Sequence, residues 1–429
     1  MTKALIWFRK DLRLEDNPAL NRAVELGLEI IPVFIYAPHE ERFKLGKHKL
    51  TIGAASKVWL HYALKKMPEL VIRQGDSLEE LEKLIEETQA RYVFWNRRYE
   101  PFIIERDKKI KNKLAKYINI ESFNGSTLVE PWEILNKQGS PYKVFTPYYK
   151  CIKNTILNKL SGKCVIKKSD LPSLIVEDLK LLPETSWHKP IVDFWSLDKL
   201  GWNMLEDFKV ENYDLKRNRM DLTGTSMISP YLAWGQVSPR QLWCKYSKQK
   251  DSEPYLRQLI WREFSYYLMY HFPKSINEPL NVKFKNFPSD YSQKSLEKWR
   301  AAKTGFNIVD AAMKQLWKTG WMHNRARMIV ASFLTKDLLV PWQDGAAWFW
   351  DTLVDADLAN NTMGWQWVAG CGADAAPYYR IFNPETQAAK FDPYNLYQGT
   401  WLEEISEPII DHKFARERAL RLYQSQKVL

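Results

Sequence analysis

Apolar and polar positions alternate in two regimes along this chain. Up to about residue 125, short apolar runs are separated by helix-periodic segments. Ala4–Phe8 and Glu29–Ala37 read as strands, the second with Pro32 near its start, and Leu70–Arg73, Arg91–Trp95 and Ile118–Phe123 read as three more. Between them, Asn17-Pro18 supplies an N-cap with proline at the first helical position and predicts a helix to about Leu26. Thr51–Met67 is helix-periodic, and Ser77-Leu78-Glu79-Glu80 has capping-box form at the head of a helix to Gln89. Strands and helices at this spacing predict βαβ units and a parallel sheet covered on both faces. The sheet carries neither GxGxxG nor a P-loop, so whatever it binds is expected at the carboxyl ends of its strands.

Residues 126–200 are rich in proline, lysine and serine and read as a long connector. From 201 to 429 the pattern is helical. Ser238-Pro239 is a cap with proline behind it; Leu256–Phe272, Ile308–Leu316, Arg325–Leu339 and Ala346–Leu353 have apolar residues at helical spacing, and Ser295 is a candidate cap for the helix bearing Trp299. The expected architecture is an α/β domain (1–125, Rossmann-like), a connector (126–200) and a larger all-α domain (201–429).

Composition sharpens this picture. The 429 residues suffice for two cores, and the net charge of +12 favours an acidic partner, of which nucleic acid is the commonest. The four cysteines lack CxxC spacing and read as free thiols of a reducing cytosol, so the expected location is cytoplasmic. The seven histidines show no ligand spacing, so no metal site is expected. Arg9, Lys10, Asp11 and Arg13 follow the first apolar run at once, which does not suit a signal peptide, and no apolar stretch is long enough to span a membrane. Nineteen tryptophans are the anomaly. Several lie between Trp321 and Trp367 among amides, an Arg pair and acids, within segments that read as buried helix. Buried polar groups must be paired or do chemistry, and indoles suit stacking on flat rings or moving single electrons.

Those residues resemble the DNA photolyase/cryptochrome family nearly end to end. The similarity runs through WFRKDLRLEDNPAL (Trp7–Leu20), GAASKVWLHYAL (Gly53–Leu64), SPYKVFTPYY (Ser140–Tyr149), SPYLAWGQVSPRQL (Ser229–Leu242), WREF (Trp261–Phe264), KTGFNIVDAAM (Lys303–Met313), WMHNRARM (Trp321–Met328) and ADAAPYYRIFNP (Ala373–Pro384). The resemblance implies FAD in the helical domain. It implies that Tyr213 and Thr225-Ser226-Met227-Ile228-Ser229 hold the phosphates, with Met227 where the family usually has Arg. Gln258, Arg262, Asn324, Leu358 and Ala359 are implied at the cofactor. Arg327 and Asp357 match an ion pair beside the flavin ring, and Asn361 matches the position facing flavin N5. Trp261 and Trp367 match the walls of a lesion pocket, and Arg325 and Arg380 match contacts to phosphates flanking the lesion.

Asn324 and Met328 match photolyases acting on cyclobutane dimers; (6-4) photolyases carry a His-His pair where this chain has His323-Asn324. The resemblance therefore implies light-driven repair of cyclobutane pyrimidine dimers by electron transfer from photoexcited reduced FAD, in a monomer that acts on ultraviolet-damaged DNA without an obligate protein partner. A cryptochrome photoreceptor and, behind it, a (6-4) photolyase are the alternatives. Two departures stand out. Gln258 replaces the Glu of cyclobutane-dimer enzymes. Trp365 and Trp342 match the first two members of the chain that re-reduces flavin, but Ser289 stands at the outer position, with Phe287 and Tyr291 near it. The Asn-Glu pair that some members use for folate is absent from Tyr99–Ile103, so an antenna chromophore of folate or deazaflavin type is left open.

Overall fold

A computed structural model describes residues 1–166, 171–199, 208–375 and 379–427. Five parallel strands form one sheet: β1 (Lys3–Phe8), β2 (Glu29–Tyr36), β5 (Val71–Gln74), β6 (Tyr92–Asn96) and β7 (Asn119–Phe123), in the order β5-β2-β1-β6-β7. The helices between them are α1 (Pro18–Glu25), α2 (Ala54–Lys65), α3 (Ser77–Thr88) and α4 (Pro101–Leu114). Alternation along β1 explains the burial. Ala4, Ile6 and Phe8 enter one apolar cluster, and Leu5 and Trp7 enter the cluster on the other face. Asn17 caps α1 through its side chain, as its position before proline predicts.

Some local expectations are corrected. The cap of α3 is Asp76, which accepts from the Leu78 and Glu79 amides; Ser77 is instead the first helical residue, and its hydroxyl donates to Glu40. A small hairpin, β3 (Phe43–Leu45) and β4 (His48–Leu50), turns at Gly46 and lies outside the predicted elements. The 126–200 stretch contains α5 (Phe145–Lys153) and α6 (Lys189–Trp195); residues 167–170 and 200–207 lie outside the described part.

The helical half comprises α7 (Tyr213–Lys216), α8 (Ser229–Ala233), α9 (Pro239–Tyr246), α10 (Glu253–His271), α11 (Gln293–Arg300), α12 (Asn307–Thr319), α13 (Asn324–Ser332), α14 (Trp342–Thr352), α15 (Leu358–Ala369), α16 (Pro384–Phe391), α17 (Leu396–Trp401) and α18 (His412–Lys427). Ser238 and Gln241 form a reciprocal capping box on α9. Ser292, not Ser295, stands at the N-cap of α11. The periodic run 325–339 is not one helix. It widens after Ser332 into a π-type turn, Phe333–Asp337, that holds two wholly buried charged residues, Lys336 and Asp337.

The halves are joined by buried arginines. Arg13 donates to Gly235 O at 2.9 Å and to Gly125 O at 2.7 Å. Gly235 is at φ +63°, and a Cβ there would meet Lys10 O at 2.1 Å, so glycine is required for the contact. Arg262 on α10 donates to Ser126 O at 2.8 Å, and its neighbour Glu263 accepts from the Leu128 amide. No described helix is long and apolar enough to cross a membrane.

Candidate cofactor and nucleic-acid site

Five segments close a ring inside the helical half. The loop before α8 meets α10 where Tyr255 OH donates to Ser226 Oγ at 3.3 Å, and Tyr213 packs edge-on to Tyr255 at 5.3 Å. From α10, Tyr266 OH donates to Asp357, which caps α15 by accepting from the Asn360 amide at 2.8 Å. From α15, Asn361 Nδ2 donates to Ala346 O on α14 at 2.9 Å. The ring returns through Trp321, just before α13, whose Nε1 donates to Ser229 Oγ at 3.1 Å. Tyr213, Ser226 and Ser229 are thus tied to α10 and Trp321, and Asn361 to α14. Met227 has φ +49°, a strained conformation that turns the loop towards α8.

The expected ion pair is corrected here. Arg327 bonds Asp355, Nη2 to Oδ2 at 2.7 Å, and not Asp357. Asp357 is committed to the α15 cap and to Tyr266. Asp355 stands two residues before Asp357, and two acids so spaced before one helix cannot be told apart by spacing. Asp355 Oδ1 is buried without a protein partner, as is Trp365 Nε1. A bound ligand can supply missing donors and acceptors of this kind. With the hydroxyl-rich 225–229 loop, the residues fit a flat ring attached to a diphosphate.

The residues expected at the lesion lie on α10, α13 and α15 and in the stretch before α16. Trp261 on α10 has one face covered by Phe145, stacked at 3.5 Å and 5°, so only the other is free. Trp367 on α15 lies under the Arg380 guanidinium, 5.3 Å from its ring centroid. Asn324 and Met328 are one turn apart on α13, Nδ2 to Sδ 3.8 Å. Arg325 donates to Asn218 Oδ1 at 2.7 Å and sits 4.2 Å over Phe391, with no carboxylate paired to it among the described residues. Burial, and then the nearby Arg217 guanidinium, pull Arg325 below its ordinary value. Two guanidiniums with no carboxylate paired to either among the described residues make an anion-seeking pair. Sequence reading missed Arg217, because only the fold brings it beside Arg325. Gln258 turns back on its own helix, its Nε2 donating to Pro254 O at 2.9 Å. His323 Nδ1 accepts from the Arg325 amide, and burial and the surrounding arginines push the imidazole down to about 4.

The photolyase family models match two stretches: the DNA photolyase domain at residues 4–164 and the FAD binding domain of DNA photolyase at 255–407. The chain belongs to the DNA photolyase/cryptochrome family. It is 37% identical to the deoxyribodipyrimidine photo-lyase of Agrobacterium fabrum, over 99% of this chain and 98% of that one. It is 34% identical to cryptochrome-2 of Arabidopsis thaliana, over 94% of this chain and 71% of the plant protein. Among solved structures, a class III photolyase from Agrobacterium tumefaciens superposes with a TM-score of 0.86 at 36% identity, covering 100% of this chain and 98% of that one. The chain therefore carries the FAD-binding domain of this family, and α10 from Tyr255 onward, α13, α14 and α15 lie within the matched stretch.

The carboxyl ends of the sheet strands are a different matter. The crevice there is crossed by the chain's own ion pairs, Arg98 with Glu41 and Glu100, Arg9 with Asp107, and Arg106 with Glu40. Arg9 and Arg106 both lie over Trp7, at 4.7 and 4.8 Å. A cavity remains beside these pairs, lined among others by Trp7, Phe34, Tyr36 and Trp234.

Proposed function

We propose that the chain is a light-driven photolyase that repairs cyclobutane pyrimidine dimers in DNA. FAD, bound in reduced form, supplies the photoexcited electron donor for opening the dimer. The residues of the chain do the rest. Tyr213 and the 225–229 loop hold the diphosphate by hydroxyls and loop amides, without the Arg that the family usually has at Met227. Arg262, Asn324, Asp357, Leu358 and Ala359 line the ring, Arg327 with Asp355 fixes a charge beside it, and Asn361 offers it an amide that does not titrate. Trp261 and Trp367 wall the flipped-out lesion, at roughly 1–3 kcal/mol per stacked base. Arg325 and Arg380, joined by Arg217, take the flanking phosphates, and the net charge of +12 steers the approach.

One observation carries the choice of lesion: among the described residues, no proton donor is placed at the lesion-side positions. Asn324 and Asn361 are amides, and His323, pushed down to about 4, is neutral above that pH with its Nδ1 already accepting. Dimer splitting needs no proton donor, whereas the (6-4) reaction does. Repair by reduced protein is therefore expected to be flat from pH 6 to 8. A rate that falls as pH rises through the imidazole range, about 6.5, would contradict the assignment.

Gln258 sets a second expectation. Its Nε2 is spent on Pro254 O, and a carboxylate cannot make that bond. Gln258→Glu should swing free towards the lesion and gain a charge-assisted contact, about 1 kcal/mol beyond a neutral one. Dimer affinity, measured by titration with dimer-bearing oligonucleotide, should rise severalfold without activity on (6-4) lesions. Unchanged or weaker affinity would contradict this placement.

A further inference from the structure

Lys336 has no role in the site described so far, yet it is wholly buried and, among the described residues, unpaired with any carboxylate. Its Nζ donates to Ala369 O at 2.6 Å, at the end of α15, and sits 3.2 Å from the ring centroid of Tyr379. Burial holds the amine well below the ordinary lysine range and pushes its neighbour Cys371 up to about 12. Nζ thus has two fixed targets, a carbonyl and a ring face. Gly370 makes room for this arrangement. It sits at φ +90°, and a Cβ there would lie 3.1 Å from the Tyr379 ring and 3.3 Å from Nζ.

The Tyr379 ring also stacks on Tyr423 of α18, at 4.3 Å and 7°. α18 is tied to the turn that carries Lys336. His412 bonds the Asp337 carboxylate, and Arg418 donates to Asp337 O at 2.6 Å. Tyr379 is thus gripped from two elements that are themselves joined. The next residue is Arg380, whose guanidinium covers Trp367.

We propose that α18 is a clasp that positions Arg380 for damaged DNA, acting through the sandwich of Lys336, Tyr379 and Tyr423. The proposal rests on the reading of Arg380 as a phosphate contact. Tyr423 touches neither flavin nor DNA in this account; it is a positioning residue. A loosened Tyr379 would leave Arg380 free to sample orientations, so that its phosphate contact is lost without any change at Arg380 itself.

The test is a double-mutant cycle on the FAD-loaded full chain, reading affinity for a dimer-bearing duplex against salt. Arg380→Ala should lower the slope of log K against log salt by about one contact. Tyr423→Ala should lower it by the same amount with FAD content unchanged. The double variant should bind no more weakly than Arg380→Ala alone. Tyr423→Leu, which keeps apolar bulk in the helix and removes the stack, serves if the alanine variant unfolds. Parent affinity and slope in the Tyr423 variants beside a weakened Arg380→Ala, or strictly additive losses, would overturn the clasp. If Arg380→Ala itself binds as the parent does, the reading of Arg380 falls, and the clasp with it.

Discussion

Asp355→Asn is expected to destabilise the FAD-loaded protein far more than Asp357→Asn. Asp355 is the ion-pair partner of Arg327, and Asp355 is nearly fully buried. An amide in its place leaves the Arg327 guanidinium without its counter-charge. Breaking a buried pair from one side costs about 3–5 kcal/mol, and the partial exposure of Arg327 puts this case near the lower end. Asp357 does different work. It caps α15 and accepts from Tyr266 and Asn360, and asparagine both caps helices well and accepts these bonds. Its replacement should cost about 1 kcal/mol or less. Thermal midpoint and FAD retained after gel filtration measure both variants. Equal losses, or a larger loss at Asp357, would restore the pairing expected from sequence and contradict the geometry.

Photoreduction of oxidised FAD is expected to be lost in Trp365→Phe and nearly lost in Trp342→Phe, and to be slow in the parent. A hopping chain needs oxidisable rings in sequence and an outer member whose charge water can stabilise. Ser289 stands exposed where the outer ring is expected, and a hydroxyl there is too hard to oxidise. Ser289→Trp should therefore speed the reaction. Two details identify the competitors. Trp365 touches Phe349 at 5.0 Å and Trp299 at 6.3 Å, but Trp299 is wholly buried, so a charge left there has no water. Tyr291 donates to Asp344 on α14 at 3.3 Å, which gives its phenolic proton an acceptor, and Lys47 Nζ donates to its hydroxyl at 3.0 Å. If Tyr291 is the exit, Tyr291→Phe should slow photoreduction further. Flavin absorbance under blue light with an external reductant follows all the variants. Full-speed reduction that survives Trp342→Phe and fails in Trp299→Phe would show a rerouted chain.

Much of this was legible because the determinants are local. Asn17 before Pro18 and Ser238 before Pro239 write their caps in adjacent residues, and alternation along β1 shows both faces buried. The misses share a non-local cause. The β3–β4 hairpin has strands of only three residues, and it is held by contacts such as His48 to Asp344, far along the chain. The break in 325–339 carries no glycine or proline; buried Lys336 and Asp337 take partners from α15 and α18, which periodicity cannot register. In the site, residue types were readable, and partners were not. Asp355 and Asp357 differ only in what the fold brings to each, and Arg217 gains meaning only beside Arg325. Gln258, Met227 and Ser289 were visible as departures, but only geometry shows that the Gln258 amide is already engaged.

The central claim is tested most directly by illuminating the chemically reduced, FAD-loaded protein with an oligonucleotide carrying one cyclobutane thymine dimer, and analysing the strand. The account predicts that blue light converts the dimer to two intact thymines over many turnovers, equally well in Trp342→Phe, since repair by reduced flavin does not draw on the re-reduction chain. Tight binding of the damaged strand with every dimer left intact after prolonged illumination would contradict it and make the protein a photoreceptor of the cryptochrome kind.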